Sequence, residues 1–178
     1  MPTTPYTPNI SGYKPFYIQA EGDSAAKDTA VQWGLVAKTN PYPAMPEPKE
    51  PYKNDFPDEN GDDEYTAAMR YQAFTFQVQF YVKTFDVVTN NTVTKTAAAV
   101  LREQVASFFD HIKNGEFKVF DSYTGLGRQK VRYAGYEEEE GAFKARRNWA
   151  RLIFTVTFKV NDPVTFMTLS SGSITAIT

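Results

Sequence analysis

The chain has 178 residues, 42% hydrophobic and 15% aromatic, enough for a packed core and too apolar for a wholly disordered chain. Its net charge of −2 provides no global basic field for nucleic acid or an anionic membrane. It holds no cysteine, which excludes disulfides, thiolate metal sites and cysteine nucleophiles, and one histidine, His111.

The first fifteen residues carry four prolines among polar residues and read as a flexible or docked arm. They lack the charged-then-apolar plan of a signal peptide, and no apolar run approaches the ~20 residues of a membrane span. A soluble chain, made and used without export, is expected. The sequons at Asn9 and Asn90 are then chance matches. Phe16–Ala20 reads as a short strand and Glu21–Lys27 as a polar loop. Val31–Lys38, with Trp33, Leu35 and Val36, reads as a second strand. From Asn40 to Pro57, Pro41, Pro43, Pro46, Pro48, Pro51 and Pro57 interrupt Tyr42, Met45, Tyr52 and Phe56. That spacing excludes a helix or central strand and favours an extended strap over the protein's own surface, or else a ligand for a partner's groove. Asp55–Tyr65 follows as an acidic loop.

Two later stretches have strict period two. In Arg70–Lys83, Phe74, Phe76, Val78, Phe80 and Val82 alternate with polar residues and Tyr81. In Arg151–Val160, Leu152, Phe154, Val156, Phe158 and Val160 alternate with Ile153, Thr155, Thr157 and Lys159. Both read as long strands with one apolar face, and Asn161-Asp162-Pro163 stops the second. Between them Asp86–Thr96 is polar and turn-like. Thr96 is a candidate N-cap for a helix of ~18 residues, about 27 Å long. Val100, Leu101, Val105, Phe108, Phe109 and Ile112 recur at helical spacing, and Asn114-Gly115 stops the helix. This helix is the natural cover for the sheet. The expected shared core is Phe74, Phe76, Val78, Phe80, Leu101, Val105, Phe108, Ile112, Phe154, Val156 and Phe158.

Phe117–Phe120 reads as a short strand, Asp121–Gly127 as a turn, and Arg128–Tyr136 as a strand with Arg128, Lys130 and Arg132 on one side. An acidic loop, Glu137, Glu138, Glu139 and Glu140, precedes the basic Lys144, Arg146 and Arg147. Pro163–Thr178 reads as a small-residue tail. The fold class expected is α+β, mostly β: a two-sheet sandwich or partly closed barrel of antiparallel strands, with one helix (about 97–113) packed against it. One domain over 1–178 is expected, with the arm at 1–15, the strap and loop at 40–65, and the core at 70–163.

No residue set announces catalysis, and no cofactor or metal is expected. His111 lies at a helix C-terminus, a place for a structural or surface role. Asp58, Asn60, Gly61, Asp62 and Asp63 imitate a calcium loop, but Phe56 and Ala67 fall at its first and twelfth positions, where ligands belong. Gly125-Leu-Gly127 lacks the third glycine and the strand-to-helix setting of a phosphate cradle, and reads as a hairpin turn. The basic residues of 128–132 and 144–147, with Tyr123, Tyr133 and Tyr136, have the chemistry for phosphate and bases, yet four adjacent glutamates would repel a nucleic-acid backbone. Paired acidic and basic patches suit protein–protein docking better. A carbohydrate- or peptide-binding groove holding Tyr52, Tyr123 and Tyr136 is the alternative. A hydrolase with paired carboxylates is a third class, to which no pair can be assigned.

From Tyr71 to Pro163 the chain resembles the ring-forming domain of phage distal tail proteins and, more broadly, the tail-tube and tail-completion family. The matching plan is Phe74–Lys83, Ala97–Ile112, Gly115–Asp121, Arg128–Tyr136 and Phe154–Asp162-Pro163, the last in the phrase Phe-x-Val-x-Phe-x-x-x-Asp-Pro. The stretch Trp33–Tyr65, with Pro-Asp-Glu-Asn-Gly-Asp-Asp at 57–63, is similar to a segment ahead of this domain in phage and prophage tail genes. The resemblance implies a non-catalytic tail component of phage or prophage that forms a ring with copies of itself and meets other tail proteins. It would be found in the bacterial cytoplasm during assembly and then in the virion tail, with no nucleic-acid or membrane partner. Since 163–178 is all that follows this domain here, the second, carbohydrate-binding-like domain of many distal tail proteins is not expected. The glutamates 137–140 and Lys144, Arg146 and Arg147 are the expected subunit interface.

Overall fold

The computed structural model describes residues 12–39, 46–50, 53–54, 63–64 and 70–177. The first strands are β1 (Phe16–Ala20) and β2 (Lys27–Asp28), followed by a one-turn helix α1 (Thr29–Trp33) and β3 (Val36–Thr39). Two short strands, β4 (Lys53–Asn54) and β5 (Asp63–Glu64), pair only with each other. The long strand β6 (Phe74–Phe85) leads through the hairpin β7 (Val87–Thr89) and β8 (Thr92–Lys95) into α2 (Ala97–Ile112). Then come β9 (Phe117–Asp121), β10 (Leu126–Glu138), β11 (Lys144–Ala145), β12 (Trp149–Val160), β13 (Phe166–Ser170) and β14 (Ser173–Ala176).

The spine is a sheet in the order β2-β1-β9-β10-β12-β6-β3, paired antiparallel throughout. β6 and β12 pair over their whole length, from Trp149 opposite Phe85 to Val160 opposite Phe74. Period two thus puts Phe76, Val78, Phe80, Leu152, Phe154, Val156 and Phe158 on one face, where all are buried. α2 lies on that face and contributes Leu101, Phe108 and Ile112 to the same cluster, with Val105 and Phe74 partly buried beside it. Thr96 caps the helix, its Oγ1 accepting from the Ala99 N–H at 3.4 Å.

The sheet is open and strongly curled. Four inter-strand steps separate β1 from β6, ~19 Å in a flat sheet at the usual spacing, yet the Phe16 and Phe80 ring centroids are 6.0 Å apart. Two irregularities in β10 mark the bend: register shifts at Arg128/Val131 against β9 and at Tyr133/Gly135 against β12. An extra residue in one strand increases its local twist, and Lys130, at φ 50°, sits at the first of them. The core is therefore enclosed by one bent, partly closed antiparallel sheet with α2 over its open side, so the class is α+β, mostly β, as expected, with one large sheet in place of a two-sheet sandwich.

Three segments differ from the sequence reading. Val31–Lys38 is not one strand. Asp28 caps the N–H of Ala30 at 2.9 Å and Gly34 closes the turn at φ 72°, so Thr29–Trp33 coils before β3 begins. A side chain at Gly34 would also press on Gln104. Asp86–Thr96 is a formed hairpin, with Asn90 and Asn91 both at positive φ in its two-residue turn. Pro163–Thr178 contains the hairpin β13–β14, whose first strand pairs with β10 at Gly127 and Arg128 and whose Met167 and Ile174 are buried with Phe120 in a second cluster. At Gly127 the hairpin and β9 both come close: a Cβ there would lie 2.9 Å from Met167 of the hairpin and 2.7 Å from the Val119 carbonyl of β9.

Much of the proline-rich strap (40–45, 51–52 and 55–57, Tyr52 included), the N-terminal arm before Gly12 and most of the acidic 55–65 loop lie outside the described residues. Within the strap, Glu47–Lys49 runs alongside Arg70–Gln72, with the Gln72 N–H donating to the Glu47 carbonyl at 2.8 Å.

Candidate subunit interface

The acidic run does not present one acidic face. β10 continues through Glu138, so its side chains alternate. Glu137 stands opposite Thr155 on the outer face of the sheet, and Glu138 opposite Phe154 on the helix face. Tyr136 donates its hydroxyl proton to Glu138, and Gln79 donates to Glu139 across the outer face at 3.4 Å. The loop then turns, with the Ala142 N–H donating to the Glu139 carbonyl at 3.0 Å and Gly141 at φ 73°. β11 returns along β12, setting Lys144 opposite Arg151, and the Arg146 N–H donates to the Trp149 carbonyl at 2.8 Å. All four glutamates, Lys144, Arg146 and Arg147 are exposed. Among the described residues no ion pair joins the two groups. Proximity in sequence therefore does not amount to mutual neutralisation in the fold.

The second feature was not visible in the sequence. Among the described residues the β7–β8 hairpin pairs with no other strand, and every residue from Val87 to Thr94 is exposed. Phe85, Val87, Val88 and Val93 are four of the nine exposed large hydrophobic side chains among the described residues. The base of the hairpin is held firmly. The Asp86 N–H donates to the Asn148 carbonyl at 3.1 Å, and the Asp86 carboxylate accepts from the Ala97 N–H at 2.6 Å. Lys83 lies over the rings of Phe85 and Trp149, at 5.2 and 5.4 Å. The signal was the alternation of valine and threonine on either side of Asn90-Asn91.

The basic residues of 128–132 do not share an exposed side. Arg128 is wholly buried, Lys130 and Arg132 are exposed, and the irregularity at Lys130 breaks the alternation. The tyrosines also separate. Tyr123 is exposed on the turn before β10. Tyr136, near the far end of that strand, packs edge-on to Phe109 at 5.2 Å and Tyr133 does the same at 5.6 Å. His111 stacks on Trp33 with centroids 5.0 Å apart. Its Nε2 lies 3.1 Å from an Asp23 carboxylate oxygen, without the alignment of a hydrogen bond. Burial and the nearby Lys27 lower the imidazole's pKa, outweighing Asp23. Among the described residues no group of three or more His, Asp or Glu is placed to hold a metal, and no helix is long and apolar enough to cross a membrane.

No protein-family model matches the chain, and no curated protein matches it significantly. Among solved structures it is similar to the Dit protein of phage SPP1, described as a paradigm of the hub adsorption apparatus in phages that infect Gram-positive bacteria. The identity is 14% and the TM-score 0.49, over 86% of this chain and 52% of that one. The chain thus spans about half the length of that protein.

Proposed function

We propose that the chain is a non-catalytic structural component of a phage or prophage tail, hub-like or tube-like, that assembles into a ring with copies of itself and contacts other tail proteins. We base this on the plan of the chain. A long strand, a helix, a short strand, a bent hairpin strand and a final strand ending in Asp162-Pro163 follow the order of the ring-forming tail domain that the sequence resembles. In this fold they surround one core, with α2 on the helix face of the β6–β12 pair. Exposed acidic and basic groups that form no ion pair with each other among the described residues also suit docking between subunits, where unlike patches must meet head to tail. The alternative, an aromatic binding groove, is disfavoured because Tyr123 and Tyr136 stand near opposite ends of β10.

The test is to look for the protein in purified tails with an antibody, and to examine it by negative-stain microscopy, alone and co-expressed with the products of flanking genes. Closed rings, or a fixed band on the tail, are expected. A chain absent from intact tails and monomeric under every condition overturns the proposal.

A further inference from the structure

We propose that the Val88–Val93 face of the β7–β8 hairpin of one copy seats in a groove between α2 and the β10–β11 loop of a second copy. The contact follows from two surfaces of this chain and does not rest on the tail reading.

The hairpin is the donor surface. An isolated two-stranded hairpin is at best marginally stable in water. This one nevertheless holds Val88 and Val93 at 57% and 51% exposure, fixed to the body only at its base. The turn itself is polar, Thr89-Asn90-Asn91-Thr92, and the apolar feature is the face that the opposed Val88 and Val93 share just below it, on a firm base. Around it lie Arg147 and Asp86, one base and one acid.

The groove is the acceptor. It encloses about 490 Å³ between Val105 and Ala106 of the helix and Phe143 and Leu152 across from them. Arg102 and Glu138 line the same opening, again one base and one acid. Phe143 is 42% exposed at its rim. The chain's own hairpin does not line it. An apolar face with the exposed base Arg147 beside it meets an apolar slot with the exposed acid Glu138 beside it, so a second copy supplies matching chemistry. Arg147 of one copy then meets Glu138 of the next, which gives the exposed acidic and basic groups a specific pairing. The contact is heterologous, so it propagates from copy to copy. One hairpin face buries less than the ~1,200 Å² of a stable pair, and association is therefore weak until several contacts act together.

The absence of cysteine permits a direct test. Single variants Val88→Cys and Ala106→Cys are mixed at millimolar concentration with a short bismaleimide cross-linker. A covalent dimer containing one of each is expected. Its yield should exceed by about tenfold that of a control pair in which exposed Thr175→Cys replaces Ala106→Cys, and Val93→Asp in the Val88→Cys chain should reduce it by a similar factor, the scale of losing one buried apolar anchor. A yield no higher than the control overturns the proposal. So does Val88→Cys alone cross-linking as well as the mixture, which would mean that two hairpins meet each other. Rings seen by microscopy together with a failed cross-link sink this contact and leave the tail reading standing.

Discussion

The guanidinium carbon of Arg128 lies 4.2 Å from the centroid of the Phe166 ring, in a site where the arginine is wholly buried. A second ring, Phe74, lies 5.5 Å from it, and Nη1 donates to the Pro163 carbonyl at 3.1 Å. A cation taken from water needs such partners, because burial alone disfavours the charged form. Arg128 thus ties β10 to the start of the C-terminal hairpin. Arg128→Ala should lower stability by about 2–4 kcal/mol in urea denaturation, from lost packing and a desolvated cation–π contact. Arg128→Lys should restore little, since an ammonium lacks the planar fork. Hydrogen exchange should quicken in 166–176 before it does in β6 and β12. Wild-type stability in Arg128→Ala would mean that the pairing of β13 with β10 and the burial of Met167 and Ile174 hold the hairpin without it.

Phe108 joins α2 to the rest of the core. Its ring lies 5.3 Å from Phe80 and 5.5 Å from Trp33, both edge-on. Phe76 lies 5.3 Å from Phe158 across the β6–β12 pair. Truncating either ring to alanine removes its contacts and leaves a cavity, so Phe108→Ala and Phe76→Ala should each cost about 3–5 kcal/mol. Two denaturation midpoints close to wild type would contradict the placement of the helix on this sheet.

Acid should weaken the junction of α2 with the β1–β2 loop. For Asp23, desolvation raises the carboxyl's pKa. The Lys27 ammonium at 2.6 Å, the Ala20 N–H and His111 outweigh it, and the net shift is downward. The His111 shift is also downward. A group whose pKa is lower folded than unfolded contributes stability above its unfolded value and loses it as pH falls through the folded one. For His111 the loss begins below the ordinary 6.5, and for Asp23 below the ordinary 3.8. The melting temperature should therefore fall in two stages on acidification. His111→Gln should flatten the first stage, from pH about 6.5 down to about 5, and Asp23→Asn the second. A wild-type melting temperature that rises as pH falls from about 6.5 to about 5 would contradict this assignment.

The long elements were legible because periodicity accumulates. Twelve residues of β6 or β12 give six inward positions, and sixteen residues of α2 give four turns. α1 has five residues, too few for a period, and only the Asp28 cap and Gly34 betray it. β13 and β14 carry mostly small or polar residues, so Met167 and Ile174 found partners that no pattern announces. Arg128 was misplaced for a different reason. Alternation assumes a regular strand, and the irregularity at Lys130 resets which side faces inward. At the candidate interface the charged residues were easy to find, but alternation along β10 divides Glu137 and Glu138 between two faces.

That division sharpens a final prediction about self-association. Glu138 on the helix face can meet a base on a neighbouring subunit at the groove, while Glu137 and Glu139 face the outer side of the sheet with Gln79. Light scattering at rising concentration should show weak association of the wild type. The association should diminish with salt, because exposed pairs are screened beyond ~8 Å at physiological ionic strength. Changing Glu137–Glu140 to Lys, or Arg146 and Arg147 to Glu, should abolish it in each variant alone. A mixture of the two variants should regain part of it, since each restores the charge that the other lacks. Exposed pairs contribute only ~0–1 kcal/mol each, so fold stability should hardly change in either variant. Within the acidic run, Glu138→Lys should account for more of the loss than Glu137→Lys. Equal association of wild type and both multiple variants would place the subunit contact elsewhere on the molecule.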